Sequence, residues 1–228
     1  MKRHVSLEEI SDGRLYGKND MAKVDCGGCK GCHACCSDMG TSIILDPMDI
    51  AVLTKNLDCS FESLLQDKIE LNVVDGVILP NLKMSREGNC CAFLDKDGRC
   101  TIHSFRPGIC RLFPLGRYYE NQGFKYFIQV HECKRGSRGK IKIHKWLGIR
   151  QLEQYESYIT DWHYFLNDAE RLVGNTKDES VPKKVNMYIL NNFFIKPLDP
   201  DTDFYTRFEE RLKNAKDFLM QTEISLNT

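Results

Sequence analysis

The sequence predicts an α+β protein: a small, irregular cysteine-rich module of short hairpins and helices, plus a C-terminal helical extension packed on it. Three observations carry that prediction. All 11 cysteines of the 228-residue chain lie between Cys26 and Cys133, and none follows. Within that stretch, turn-forming residues separate short apolar runs. Beyond Lys134 the apolar residues recur every three or four positions, the period of a helix face. The resulting organisation is an N-terminal arm (1–21), a cysteine-cluster domain (22–135) and a helical extension (136–228).

Taken in order, residues 41–45 read as a short strand. Asp46-Pro47 then supplies an N-cap and an N1 proline for a helix to about Asn56. Ser60 caps a second short helix over 61–66. Residues 69–74 and 77–82, separated by Asp75-Gly76, carry a strong hairpin signal. A second hairpin is predicted from Cys91-Ala-Phe-Leu94 through the turn Asp95-Lys-Asp-Gly98 to Cys100-Thr-Ile-His103, and a third over 117–130, turning at Asn121-Gln122-Gly123. Leu152, Tyr155, Ile159, Trp162, Phe165, Leu166, Ala169 and Val173 form one face of a long helix. Residues 185–194 predict a second C-terminal helix. Asp201 or Thr202 caps a third, with Phe204, Phe208, Leu212, Phe218 and Leu219 on its apolar side. These aromatic stripes read as core.

Thirty-two basic and 32 acidic residues leave a formal net charge of zero. That balance argues against a general electrostatic grip on nucleic acid or an acidic membrane. The first residues carry charges but no apolar signal-peptide segment, and no run approaches the roughly 18 apolar residues of a membrane helix. The sequence therefore points to a cytoplasmic, membrane-free chain. A reducing cytoplasm disfavours disulfides, and an odd number of cysteines cannot all pair within one chain. Metal binding, or redox chemistry, is the remaining use for them.

The first cluster runs Cys26-Gly-Gly-Cys29-Lys-Gly-Cys32-His33-Ala-Cys35-Cys36. Each Cys-x-x-Cys turn can present two sulfurs to one metal while backbone amides hydrogen-bond to the thiolates. Cys35 and Cys36 are adjacent, and neighbouring side chains diverge on strands and helices alike. The pair is therefore expected to serve two sites or two sides of one polynuclear centre. A second, dispersed group comprises Cys90, Cys91, Cys100, Cys110 and Cys133. Zinc favours closed four-thiolate sites. Iron–sulfur clusters use the spacing C-x2-C-x2-C-x3-C that Cys26, Cys29, Cys32 and Cys36 reproduce, although Ser37 stands where the bacterial ferredoxin motif has proline. Zinc, iron and a 4Fe-4S cluster all remain open.

Cys29-x-x-Cys32-x-x-Cys35-Cys36, then Cys91 to Cys100, then Arg106-Pro107-x-x-Cys110-Arg111-x-Phe113-Pro114 resembles the YkgJ-like cysteine-cluster family, whose CxxCxxCC domain is named for zinc or iron chelation. The resemblance covers about residues 22–135. It implies metal ligation by eight cysteines: Cys29, Cys32, Cys35, Cys36, Cys91, Cys100, Cys110 and Cys133. Cys26, Cys59 and Cys90 are extra to that pattern. A similar cysteine pattern in flagellin lysine-N-methylase implies an alternative, an iron–sulfur-dependent protein-modifying enzyme. Against it, no strand here leads into a glycine-rich turn of the usual S-adenosylmethionine-binding kind.

Arg106 and Arg111 are candidates to donate to cluster sulfurs or to form structural ion pairs. His33, His103 and His131 lie near cysteines and read as supporting or surface residues. His131-Glu132 opens like a zinc-protease motif, but position 135 is arginine, so the second histidine is missing. Lys134, Arg135, Arg138, Lys140, Lys142 and Lys145 form a basic run without an acid. Its glycines and serine read as a solvated loop, and no aromatic platform accompanies it. A zinc-stabilised interaction or nucleic-acid module is thus the second alternative, with nucleic acid not the favoured partner. The expected partners are metal ions. No phosphate-binding loop, nucleophile elbow or dinucleotide fingerprint is present.

Overall fold

A computed structural model describes residues 6–25, 27, 32–85, 89–134, 138–201 and 204–226. Cys26, Cys29, Arg135 and Thr202, each singled out above, lie outside the described residues. In chain order the elements are α1 (Leu7–Ile10), β1 (Met21–Asp25), a 3-10 turn (Ala34–Cys36), α2 (Pro47–Leu57), α3 (Phe61–Asp67), β2 (Ile69–Val74) and β3 (Val77–Leu82). They continue with a 3-10 turn (His103–Phe105), α4 (Gly108–Leu112), β4 (Leu115–Glu120), β5 (Gly123–Ile128), β6 (Gly139–Lys142), α5 (Ile143–Leu147), α6 (Leu152–Asn175), α7 (Ser180–Leu190) and α8 (Phe204–Leu226). The described strands form three two-stranded antiparallel sheets, β1–β6, β2–β3 and β4–β5. The fold class is α+β, with helices at the C-terminal end. Among the described residues no helix is long and apolar enough to cross a membrane.

The chain divides into two compact units, each discontinuous in sequence: Lys2–Ile43 with Lys83–Ser157, and Ile44–Leu82 with Tyr158–Thr228. The unit boundary falls inside α6. Helices α2 and α3 and the hairpin β2–β3 sit between the cysteine groups in sequence, yet they belong to the same unit as the C-terminal helices.

In that second unit, Asp46 caps α2 as its sequence predicts. Its carboxylate accepts from the Asp49 amide at 2.9 Å, and the Asp49 carboxylate accepts from the Asp46 amide at 3.1 Å, a reciprocal capping box. The Tyr158 hydroxyl adds a third bond, donating to Asp46 Oδ1 at 2.9 Å, and it accepts from the Met48 amide at 3.0 Å. The β2–β3 hairpin turns at Asp75-Gly76 in the predicted register. Gly76 has φ +88°, and a Cβ there would sit 3.0 Å from Val173 Cγ1 on α6, so the turn needs glycine twice over. Buried Asn186 of α7 ties the same turn down, accepting from the Ile78 amide at 2.6 Å and donating to the Gly76 carbonyl at 3.1 Å. The aromatic stripes are core: Trp162, Phe165, Phe193 and Phe208 are buried, with Trp162 and Phe193 centroids 4.9 Å apart. Helix α7 starts at Ser180, ahead of the predicted 185, and its pattern continues through a π-helical turn at Asn191–Ile195.

The first unit packs β1, β4–β5, β6 and α5 around Ala22, Val24, Leu115, Tyr126, Ile128, Ile143 and Leu147. The hairpin predicted over 117–130 is β4–β5, its turn at Asn121-Gln122. Buried Tyr126 donates to Glu156 at 2.7 Å, fixing the first turns of α6 to this hairpin. The phenol is held protonated by its burial and then by that bond.

Three local expectations are corrected. Residues 41–45 are not a strand. Only an isolated bridge, Ile44 to Asn81, and the bond from the Leu45 amide to the Pro80 carbonyl at 2.8 Å extend the β3 edge. Ser42 is already turned onto Met39, and the Asp46 cap begins directly after Leu45, so there is no length for a ladder. The 91–103 hairpin is reduced to one bridge, Leu94 to Cys100. Part of the basic run is ordered rather than loop: Gly139–Lys142 forms β6 and Ile143–Leu147 forms α5.

Asn186→Ala should lower stability by about 1–3 kcal/mol, because it leaves a buried amide and carbonyl without their partner. Urea unfolding of the variant against the parent chain checks this.

Candidate metal centre

The site is assembled by two segments of the first unit. Asp38 and Ser37, just after the 3-10 turn Ala34–Cys36, pair with Asn89 and Cys90. The Asp38 amide donates to the Asn89 carbonyl at 2.9 Å, Ser37 bridges Cys90, and the Cys91 amide donates to the Cys36 carbonyl at 2.7 Å. This pairing places two adjacent-cysteine pairs, Cys35-Cys36 and Cys90-Cys91, side by side. Cys90 Sγ lies 3.4 Å from Ser37 Oγ.

The chain turns at Cys91 and again at Cys100, which shortens the hairpin to the Leu94–Cys100 bridge. Beside that bridge the Asp95 amide donates to the Arg99 carbonyl at 2.8 Å and the Thr101 amide to the Phe93 carbonyl at 2.9 Å. The Leu94 amide returns to the Cys91 carbonyl at 2.9 Å, and the His103 amide returns to the Cys100 carbonyl at 3.3 Å. Each turn aims the amide two residues on at the cysteine sulfur: Phe93 N–H at Cys91 and Ile102 N–H at Cys100. Between them, Asp95 Oδ1 accepts from the Asp97 and Arg99 amides at 2.9 and 2.8 Å, closing the loop. Gly98 completes it at φ +70°, where a Cβ would come within 2.9 Å of His33 Nδ1. His33 is thus packed against the turn.

Cys35, Cys36, Cys91 and Cys100 interact electrostatically as one group. Cys91 is buried and the other three are half-buried. The adjacent pair does not diverge as expected. The Cys36 thiol donates to Cys35, so Cys35 is lowered to about 7, chiefly by that bond, and Cys36 is held protonated. Burial pushes both Cys91 and Cys100 up, and the amides of Phe93 and Ile102 work against it. The Arg106 guanidinium favours the thiolate at Cys35 and Cys100.

The two arginines of the Arg-Pro-x-x-Cys-Arg motif have different jobs. Arg111 donates to the Arg106 carbonyl at 3.2 Å and to the Ser104 carbonyl at 2.7 Å, bracing the loop that leads into α4. Arg106 faces the thiols. Its Nη1 contacts His103 Nε2, while its Nε is buried with no hydrogen-bond partner among the described residues. His103 is pushed towards its neutral form by burial and then by Arg106 and Arg111.

Cys110 lies on α4 and Cys133 follows β5, both half-buried, and Cys32 precedes the 3-10 turn. Cys59 belongs to the other unit, at the α2–α3 junction, where burial and then Asp58 raise its thiol. Cys90 was treated as extra on sequence spacing, and only the pairing with Ser37 puts it beside the group. Among the described residues no set of three or more His, Cys, Asp or Glu side chains converges on one point as metal ligands do. The four thiols share a field without sharing an apex. The donor set still suits a metal. Soft sulfurs, amides directed at two of them and a buried guanidinium N–H lacking an acceptor all match a thiolate centre of negative charge.

The chain matches no curated protein, and no solved structure matches it. A family model does: residues 28–134 match CxxCxxCC, described as "Putative zinc- or iron-chelating domain". That match spans both cysteine segments, the Arg106–Pro114 motif and Cys133, and it falls on the residues whose spacing resembles the CxxCxxCC family.

Proposed function

We propose that the chain is a metal chelator whose centre holds zinc or iron through cysteines drawn from Cys29, Cys32, Cys35, Cys36, Cys91, Cys100, Cys110 and Cys133. The observation that carries this reading is the pair of turns at Cys91 and Cys100. An amide two residues beyond a cysteine, pointed at its sulfur, stabilises a thiolate and has little use for a thiol. Zinc would supply a closed structural cross-link and an iron–sulfur cluster would supply electron transfer.

The chain's own contributions follow from its geometry. Cys91 and Cys100 release their protons into a site already furnished with donors. Cys35 and Cys36 share one proton, which leaves when both sulfurs bind metal. Arg106 offsets part of the accumulated negative charge. The convergence of Cys35 and Cys36 lets both sulfurs serve one centre, whether a single ion or a cluster.

Anaerobic purification followed by elemental analysis and visible absorption tests the reading. Colourless protein containing zinc would establish the zinc form. Brown protein with iron and acid-labile sulfide would establish the cluster. Protein that takes up neither metal overturns the proposal.

Cys32→Ser, Cys91→Ser, Cys100→Ser and Cys110→Ser should each lower the metal bound per chain, whereas Cys59→Ser should leave it unchanged in the same assay. Arg106→Gln should weaken metal binding about 10–100-fold, the usual effect of losing a residue that supports ligands. Arg111→Gln should keep the affinity but cost about 1–3 kcal/mol of stability through its lost carbonyl bonds. Competition with a chromogenic chelator separates the two arginines.

A further inference from the structure

The basic run that reads as a loop is half of an ordered ribbon. Strands β1 and β6 pair with Met21 opposite Lys142, Ala22 opposite Ile141 and Lys23 opposite Lys140. Because side chains alternate along a strand, Ala22, Val24 and Ile141 face the core and Met21, Lys23, Lys140 and Lys142 face solvent. Lys23 and Lys140 are thus like charges placed directly opposite, an arrangement that destabilises a sheet.

The neighbouring carboxylates are each engaged elsewhere by hydrogen bonds. The Asp20 carboxylate accepts from the Gly17 amide at 2.7 Å and the Asp25 carboxylate from the Gly27 amide at 2.9 Å. Glu153 is paired with Lys18 at 2.6 Å, and Glu156 takes Tyr126 and lies 3.8 Å from Lys18. Lys23, Lys140 and Lys142 form no ion pair with any described residue. A chain of zero net charge thus gathers three ammonium groups, none in an ion pair with a described residue, on one small face.

We propose that this ribbon face binds the phosphate backbone of a nucleic acid. Lys140 and Lys142 are separated by about 7 Å along their strand, a spacing suited to successive phosphates, and Lys23 widens the row across the ribbon. A two-stranded antiparallel ribbon is also an element that a duplex major groove admits. Beside the lysines the face presents half-exposed Met21, and recognition is by backbone charge and independent of sequence. This proposal stands on the lysines and does not depend on which metal the cysteines hold.

The test is fluorescence anisotropy of a labelled 20-base-pair DNA duplex and of a single-stranded RNA, titrated with the full chain at several salt concentrations. The ribbon variant carries Lys23→Gln, Lys140→Gln and Lys142→Gln. A control variant carries Lys177→Gln, Lys213→Gln and Lys216→Gln, removing equal charge from exposed positions elsewhere. The expected result is binding of at least one probe by the parent and control chains. In the ribbon variant the slope of log K against log salt should flatten by about 3 on the duplex, or about 2 on the single strand, about one unit per lost phosphate contact. Failure of the parent chain to bind either probe overturns the proposal. So does equal weakening in the control variant, or displacement of the probe by polyglutamate at the same charge concentration.

Discussion

Four ionisable thiols gathered in half-buried ground are the constraint to which the cysteine-bearing unit answers. They cannot all ionise readily even with the Arg106 guanidinium beside them, since like charges at short range in a partly dry site repel strongly. Two ways out exist. Protons can stay, as where Cys36 keeps its hydrogen and lends it to Cys35. Alternatively a cation replaces them. The surrounding turns are arranged for the second outcome, for the amides of Phe93 and Ile102 and the lone Arg106 Nε–H are donors in search of anionic sulfur. Metal uptake would therefore be coupled to proton release and to local stability together.

The scaffold that meets this constraint is modest. No sheet among the described strands exceeds two strands, and a pair of strands has little stability of its own. The ribbon β1–β6 and the hairpin β4–β5 persist because both lay their apolar faces on one cluster around Tyr126 and Ile143. The cysteine loops carry few apolar side chains into that cluster. Their order depends on hydrogen bonds such as the Asp95 loop and the Arg111 brace, and on whatever the sulfurs bind.

Much of this was legible in the sequence where a signal was local. Asp46-Pro47 announces the α2 cap, Asp75-Gly76 announces a hairpin, and the stripe from Leu152 to Val173 announces α6. What was hidden is long-range. Strand β1 has a partner more than a hundred residues away, and β6 is masked by lysines that resemble a solvated loop. The hairpin between Cys91 and Cys100 is shorter than its pattern predicts for a different reason. Alternating apolar residues favour extension, but turning each amide onto sulfur demands curvature, and the sulfur bond prevailed. Cysteine spacing identified the group itself. It could not show that Cys35 and Cys36 converge, because that depends on the tight 3-10 turn they occupy.

The isolated bridge between Ile44 and Asn81 has a consequence in polymer terms. Counted along the chain, the segments carrying Cys36 and Cys91 are far apart, and holding them together should require closing a long loop. The bridge, with the Leu45–Pro80 bond beside it, makes the intervening excursion leave and return at one point. Once α2, α3 and the β2–β3 hairpin are folded, the contour that must be closed shrinks about threefold, which saves about 1 kcal/mol of closure entropy. The two cysteine segments are thus neighbours in topology before any sulfur meets a metal.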